Sequence, residues 1–178
     1  MSGGADAFVY LVRHAKAGDR EAWTEADELR PLTKKGRQQA EGLVRVFRGL
    51  SVRRIASSPH VRCVQTVRPL ALDRRLPLEV CDELLEGTAT ERAMAFLERN
   101  GETNAVFCSH GDVIPALVLA LVDAGMAIEG ERDWKKGSMW ILERRGGRFA
   151  RATYMPPPGS TNDGSDRGRM RGRATRGG

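Results

Sequence analysis

The chain has 178 residues, with 29 Lys+Arg against 23 Asp+Glu, a formal net charge of +6 and 40% hydrophobic residues. That length suits one domain able to bury a substantial core, and its longest apolar run, near Val113–Val122, falls far short of the roughly 20 residues a membrane-spanning helix needs. The first residues lack the pattern of a secretory leader, and Cys63, Cys81 and Cys108 show no C-x-x-C spacing; a disulfide framework and a thiolate zinc site are excluded, and a cytoplasmic, reduced setting is expected.

In chain order, Phe8–Val12 is a compact run of β-formers, the pattern of a strand buried on both faces. A polar loop follows. Leu32-Thr33 then opens a helix with Ala40, Leu43, Val44 and Phe47 on one face and Thr33 as N-cap. Arg54–Ser57 reads as a second strand. Pro59 suits the first turn of the next helix, with Val61, Val64, Val67 and Leu70 as its apolar stripe. Pro77–Cys81 is a weaker third strand, and Thr90–Arg99 a helix stopped by Gly101. Ala105–Cys108 is a buried strand, followed by the very apolar helix Val113–Ala124. Ser138–Glu143 and Arg148–Tyr154, separated by Arg-Gly-Gly, read as a closing β-hairpin.

Strands alternating with helices predict an α/β fold, three-layer α/β/α, around a mostly parallel sheet. Pro156-Pro157-Pro158 ends the expected domain, residues 1–155. Residues 156–178 form a Pro/Gly/Arg-rich tail whose five arginines (Arg167, Arg169, Arg171, Arg173, Arg176) outnumber Asp163 and Asp166, so half the net charge resides there. Such a segment buries too little apolar surface to fold alone and is expected to be disordered. Nonspecific nucleic-acid binding by it is conceivable on charge, but a tail of no special function is the expectation.

In open α/β sheets ligands gather beyond the carboxyl ends of the strands. Arg13-His14-Ala15 follows the first strand. Ser57-Ser58-Pro59 follows the second, with Arg62 a turn into the helix, and Ser109-His110-Gly111-Asp112 follows the Ala105 strand. Two arginines and two histidines therefore meet at one sheet edge. Guanidinium groups repel metal cations but match phosphate oxygens bidentately. A neutral imidazole is a competent nucleophile toward phosphorus, and the remaining groups would stabilise charge on the transferring phosphoryl group.

Val12-Arg13-His14-Ala15 resembles the Arg-His-Gly signature of the histidine phosphatase superfamily, also called phosphoglycerate-mutase-like, with Ala15 in the glycine position. Arg30-Pro31-Leu32-Thr33-Lys34-Lys35-Gly36 is similar to its Leu-Thr-x-x-Gly helix start. Ser58-Pro59-His60-Val61-Arg62 is similar to its Ser-Pro-x-x-Arg, and Ser109-His110-Gly111 to its second-histidine motif. The resemblance implies that His14 becomes phosphohistidine, that Arg13, Arg62 and His110 form the phosphate pocket, and that water hydrolyses the phosphoenzyme without metal or organic cofactor. It places the proton donor in Asp82-Glu83-Leu84-Leu85-Glu86-Gly87, with Glu83 preferred to Glu86 and an ordinary solvated loop as the alternative. His60 is expected at the pocket rim or in solvent, Lys16 in solvent, Cys63 in helix packing and Cys108 in a buried strand.

The small size and the Arg-Pro-Leu-Thr run resemble the SixA branch, which implies a phosphohistidine protein as partner and is the preferred reading, with a nucleotide phosphatase as its alternative. The Val113-Ile114-Pro115 and Trp134–Trp140 segments resemble the phosphatase half of actinobacterial Nudix–histidine phosphatase fusions, which implies a nucleoside di- or monophosphate. Lys135 and Lys136 could steer such an anion, although a solvated turn explains them as well. A phosphate-binding module that turns nothing over is the third reading. A mutase is disfavoured, because about 150 folded residues leave little room for a closing insertion.

Overall fold

The computed structural model describes residues 6–159. Seven strands form one sheet: β1 (Ala7–Arg13), β2 (Arg54–Ser57), β3 (Leu78–Val80), β4 (Ala105–Ser109), β5 (Ala127–Glu129), β6 (Met139–Arg145) and β7 (Arg148–Met155). Four helices flank it: α1 (Lys34–Val46), α2 (Val61–Arg74), α3 (Thr90–Asn100) and α4 (Val113–Asp123). The strand order is β3-β2-β4-β1-β6-β7-β5. The pairs β1–β4, β2–β3, β2–β4 and β5–β7 are parallel, whereas β6 runs antiparallel to β1 and β7. The expected mostly parallel α/β sheet is therefore present, with β6 as the reversed strand.

Period-two alternation in β1 divides the core. Val9 and Leu11 join Phe96, Phe107, Ile114, Leu117 and Trp140 on the α3/α4 face. Tyr10 and Val12 join Leu43, Phe47, Ile55, Val67 and Leu70 on the α1/α2 face. Pairing with β4 on one side and β6 on the other satisfies both edges of β1, so no residue there needs solvent. Its C-terminal end is held at the centre of the sheet.

Thr33 caps α1 as expected, its hydroxyl accepting from the Gly36 N–H at 3.1 Å. Three details differ from expectation. Helix α2 starts at Val61, with His60 as N-cap and Pro59 outside the helix. Its buried face is Arg62, Cys63, Thr66, Val67, Leu70 and Ala71, displaced from the expected valine stripe because the helix also turns an arginine and a threonine inward. The strand β5 escaped notice because three residues carry too little period-two pattern. Just past the expected boundary at residue 155, Pro157 is buried, and Pro158 sits against Gly42 of α1 so closely that a Cβ at Gly42 would collide with it. The expected tail from residue 160 onward, with its arginines, lies outside the described residues. Among the described residues, no helix is long and apolar enough to cross a membrane.

Candidate active site

The carboxyl ends of β1, β2 and β4 bring Arg13, His14, Arg62 and His110 together, as the spacing predicts. The His14 and His110 ring centroids are 5.5 Å apart. His14 is 6% exposed, His110 1% and Arg62 0%.

Hydrogen bonds pin the His14 loop from three sides. The His14 N–H donates to the Ser109 carbonyl at 3.0 Å, and the Gly137 N–H donates to the carbonyls of Arg13 and His14 at 3.2 and 3.0 Å. The Ala15 N–H donates to the Thr66 hydroxyl at 2.9 Å, and that hydroxyl donates in turn to the Arg62 carbonyl at 2.7 Å. One buried threonine thus ties the His14 loop to the first turn of α2.

The His14 Nδ1 bonds the Ala15 carbonyl at 2.9 Å. A carbonyl only accepts, so Nδ1 carries the proton and Nε2 keeps its lone pair. Burial first, then the charges of His110, Arg62 and Arg13, outweigh that bond and push the His14 pKa down to about 3. At neutral pH the ring is uncharged.

Around it sits a cationic wall. The Arg13 Nη1 donates to the Trp134 carbonyl, and the guanidinium lies over Gly111, where a Cβ would stand 2.6 Å from Arg13 Cζ and Nη2. Burial draws its pKa down, and the charges of Asp112 and Glu86 oppose this. Arg62 donates through Nη1 to the Asp27 carbonyl at 2.8 Å, and through Nη2 to the carboxylates of Asp27 and Glu86, each at 2.9 Å. The His110 Nε2 bonds the Ser58 hydroxyl at 2.8 Å, with Cys63 Sγ at 3.5 Å. Arg13 Nε, Arg62 Nε, His110 Nδ1 and His60 Nδ1 are all buried without a hydrogen-bond partner among the described residues. Unsatisfied buried groups cost about 1–3 kcal/mol each, and four in one site mark a place suited to anionic oxygens.

A third layer holds this wall. Burial would raise the Asp27 pKa, but the Arg30 hydrogen bond and the charges of Arg62, Arg30 and Arg20 bring it down to about 2. Arg20 spans the rim, 2.8 Å from Glu86 and 3.3 Å from Asp27. Burial likewise opposes ionisation of Glu86, but Arg20, His110 and Arg62 hold its carboxyl below the ordinary value. The Gly87 N–H donates to Asp112 at 2.7 Å and the Ser109 hydroxyl to the Leu84 carbonyl at 2.7 Å, docking the 82–87 loop beside α4.

Within that loop Glu86, not Glu83, contacts the cluster. Glu83 lies in a 3-10 turn (Asp82–Leu84), and no hydrogen bond or ion pair joins it to the cluster among the described residues. A 3-10 turn followed by Leu85 brings Glu86 to Arg62 instead. His60, expected at the pocket rim or in solvent, is half-buried, with its ring centroid 4.8 Å from that of His110. Cys63 packs as expected but touches His110, and Cys108 is buried in β4. Sequence reasoning missed Asp27, Arg20 and Thr66. The Asp27–Arg30 spacing of i to i+3 is the one local signal of that layer.

His60, Glu86 and His110 also bring ligand atoms within 4.8 Å of one another. The Glu86 carboxylate is already shared by Arg62 and Arg20, permanent cations that disfavour a metal there. The donor set suits an anion better.

A profile of the histidine phosphatase superfamily (branch 1) matches residues 9–93, which include Arg13, His14 and Arg62. An 8-oxo-(d)GTP phosphatase from Mycolicibacterium smegmatis is 34% identical over 157 residues, 84% of this chain and 48% of that protein. That match and that relative both point to the histidine phosphatase superfamily. Members are phosphatase hydrolases, and the relative is itself named as a phosphatase. The chain spans about half the length of that relative. The protein histidine phosphatase SixA complexed with tungstate superposes with a TM-score of 0.66 at 21% identity, covering 85% of this chain and 97% of SixA. A mycobacterial glucosyl-3-phosphoglycerate phosphatase gives 0.61 at 16% identity, covering 87% and 100%. At those identities the likeness is one of fold, and it is the phosphoglycerate-mutase-like α/β/α sheet.

Proposed function

We propose that this chain hydrolyses phosphomonoesters or phosphoramidates through a phosphohistidine intermediate on His14. The observation that carries the reading is the neutral His14 ring, with Nδ1 bound to Ala15 and Nε2 unprotonated, beside the unpartnered guanidinium Nε of Arg13 and Arg62 and Nδ1 of His110. In the first step Nε2 attacks phosphorus and the bond to the leaving oxygen or nitrogen breaks. Arg13, Arg62 and His110 stabilise the equatorial oxygens. In the second step water attacks phosphorus, the N–P bond breaks, His14 recovers its lone pair and inorganic phosphate leaves. No step needs a metal or an organic cofactor.

Glu86 is the proton donor to the leaving group in this scheme, in place of Glu83. At rest it is an ionised partner of Arg62. A bound phosphoryl dianion competes for that guanidinium and adds negative charge beside the carboxylate, and both effects favour its protonated form.

For the leaving group, the 34%-identical relative favours a nucleotide phosphate. The second reading, a phosphohistidine protein, rests on the small size of the domain and the Arg30-Pro31-Leu32-Thr33 run of the SixA type. Phosphate release from an aryl phosphate, nucleoside mono- and diphosphates, phosphoglycerates and a phosphohistidine protein separates them. His14→Ala is expected to abolish release, and an acid-labile, alkali-stable phosphoryl label is expected on wild type alone. Near-wild-type turnover by His14→Ala would refute the mechanism, and no release by wild type from any compound would favour a binding module.

A further inference from the structure

The chain has 24 arginines and five lysines, and four of those lysines line one cleft. Lys16, Lys35, Lys135 and Lys136, with Gln39 and Pro157–Gly159, enclose about 320 Å³, the lower end of the volume typical of small-ligand sites. We infer that this cleft binds a second phosphate group of the substrate, beside the one transferred at His14, so that diphosphate-bearing small molecules are preferred to monophosphates.

The cleft is built rather than incidental. Gln39, buried between its two walls, accepts from the Lys16 N–H at 2.9 Å and donates to the Lys136 carbonyl at 3.2 Å. The Gln39 amide lies 3.0–3.2 Å from where a Cβ of Gly137 would stand, and Gly137 has φ +84°. Only glycine suits that conformation and leaves room for the amide. Thr33 fixes the Lys16 carbonyl through its N–H at 2.9 Å and its hydroxyl at 3.0 Å. Lys35 lies in the first turn of α1, where the helix dipole adds positive potential.

Its wiring runs straight to the transfer site. Lys16 stands two residues after His14, and Gly137, directly after Lys136, donates to the carbonyls of Arg13 and His14. Partial burial, then the charges of Arg13, Arg30, Arg20 and Lys16, lower the Lys136 pKa, as one continuous field of positive charge would. Lys135 is paired with Asp133 at 2.9 Å. Among the described residues no carboxylate pairs with Lys16, Lys35 or Lys136, so the cleft keeps a net excess of positive charge. Ammonium groups on flexible stems suit a hydrated anion whose position varies with the rest of the ligand.

This inference rests on the phosphatase reading for its link to turnover, so binding is measured apart from catalysis. Full-length His14→Ala, with and without Lys35→Ala/Lys136→Ala, is titrated calorimetrically with pyrophosphate and with inorganic phosphate. Pyrophosphate is expected to bind the lysine-intact chain at least about tenfold more tightly than phosphate, and the lysine variant is expected to lose that advantage. Equal weakening of both anions, or no weakening, overturns the inference. A Lys35→Gln/Lys136→Gln pair carries the same test if the alanine pair melts early. With His14 intact, the kcat/KM ratio of a nucleoside diphosphate over an aryl monophosphate should fall at least about tenfold in the lysine variant. An unchanged ratio, or slowing of phosphohistidine-protein dephosphorylation alone, also overturns it. Lysine-dependent pyrophosphate binding in a protein whose wild type releases no phosphate would sink the phosphatase reading and leave the cleft standing.

Discussion

The Nδ1–H of His14 donates to the carbonyl oxygen of Ala15, the next residue in the chain, at 2.9 Å. This bond is local, yet it selects which ring nitrogen keeps its lone pair. The rest of the site turns that choice into chemistry by keeping the ring uncharged.

The charge state has a consequence for stability. The His14 pKa lies at about 3 in the folded chain against an ordinary 6.5, so between those values the unfolded chain binds a proton that the folded chain refuses. Acid therefore favours unfolding: the effect is negligible above pH 6.5, grows as pH falls and is complete near pH 3. Asp27, lowered to about 2 from 3.8, acts in the same direction in a more acidic window. Wild-type Tm is expected to fall more steeply between pH 6.5 and 4.5 than that of His14→Gln. Parallel curves would show that the imidazole is not held neutral.

Thr66 is wholly buried and joins Ala15 to Arg62. Thr66→Val keeps the shape and removes the acceptor of the Ala15 N–H. An unsatisfied buried donor costs about 1–3 kcal/mol, or several degrees of Tm at this size. Turnover should fall with it, because the His14 loop loses its tie to α2. Wild-type melting and kinetics together would show the tie to be dispensable.

Gly111 leaves space for the Arg13 guanidinium, whose Cζ and Nη2 would meet a Cβ at 2.6 Å. The obstacle is the end of a flexible side chain, so Gly111→Ala should fold with little change in Tm and displace Arg13. Loss of one transition-state donor is expected to lower kcat/KM by about 10²-fold. Activity within twofold of wild type would remove Arg13 from the phosphate wall.

Glu86 and Glu83 are separated by leaving-group dependence. Glu86→Gln is expected to slow hydrolysis of an alkyl phosphate by about 10²-fold, and of a nitrophenyl phosphate, whose leaving group needs no proton, far less. Glu83→Gln should alter neither. An equal loss on both substrates would make Glu86 a positioning partner of Arg62 rather than an acid.

The Arg13–His14, Arg62 and His110 positions were legible because each follows an apolar run ending at the same sheet edge, and the rule for open α/β sheets converts that order into proximity. The ion-pair layer was not. Asp27 lies 35 residues from Arg62 and meets it through a 3-10 turn (Asp27–Leu29) whose three residues carry no periodic signal. The misreading of the α2 stripe has a related cause: its buried face includes Arg62 and Thr66, and an apolar pattern cannot register polar residues that turn inward to build a site.

Alternating apolar runs determined the α/β class and the sheet edge at which Arg13, His14, Arg62 and His110 meet, because hydrophobic burial obeys the periods 2 and 3.6 that a sequence displays. Only the tertiary structure decided which carboxylate reaches Arg62, and that Lys16, Lys35, Lys135 and Lys136 share one cleft. Those depend on turns and side-chain bonds between segments up to about a hundred residues apart, such as Gln39 to Lys136. Such bonds are single and directional, and they repeat with no period along the chain.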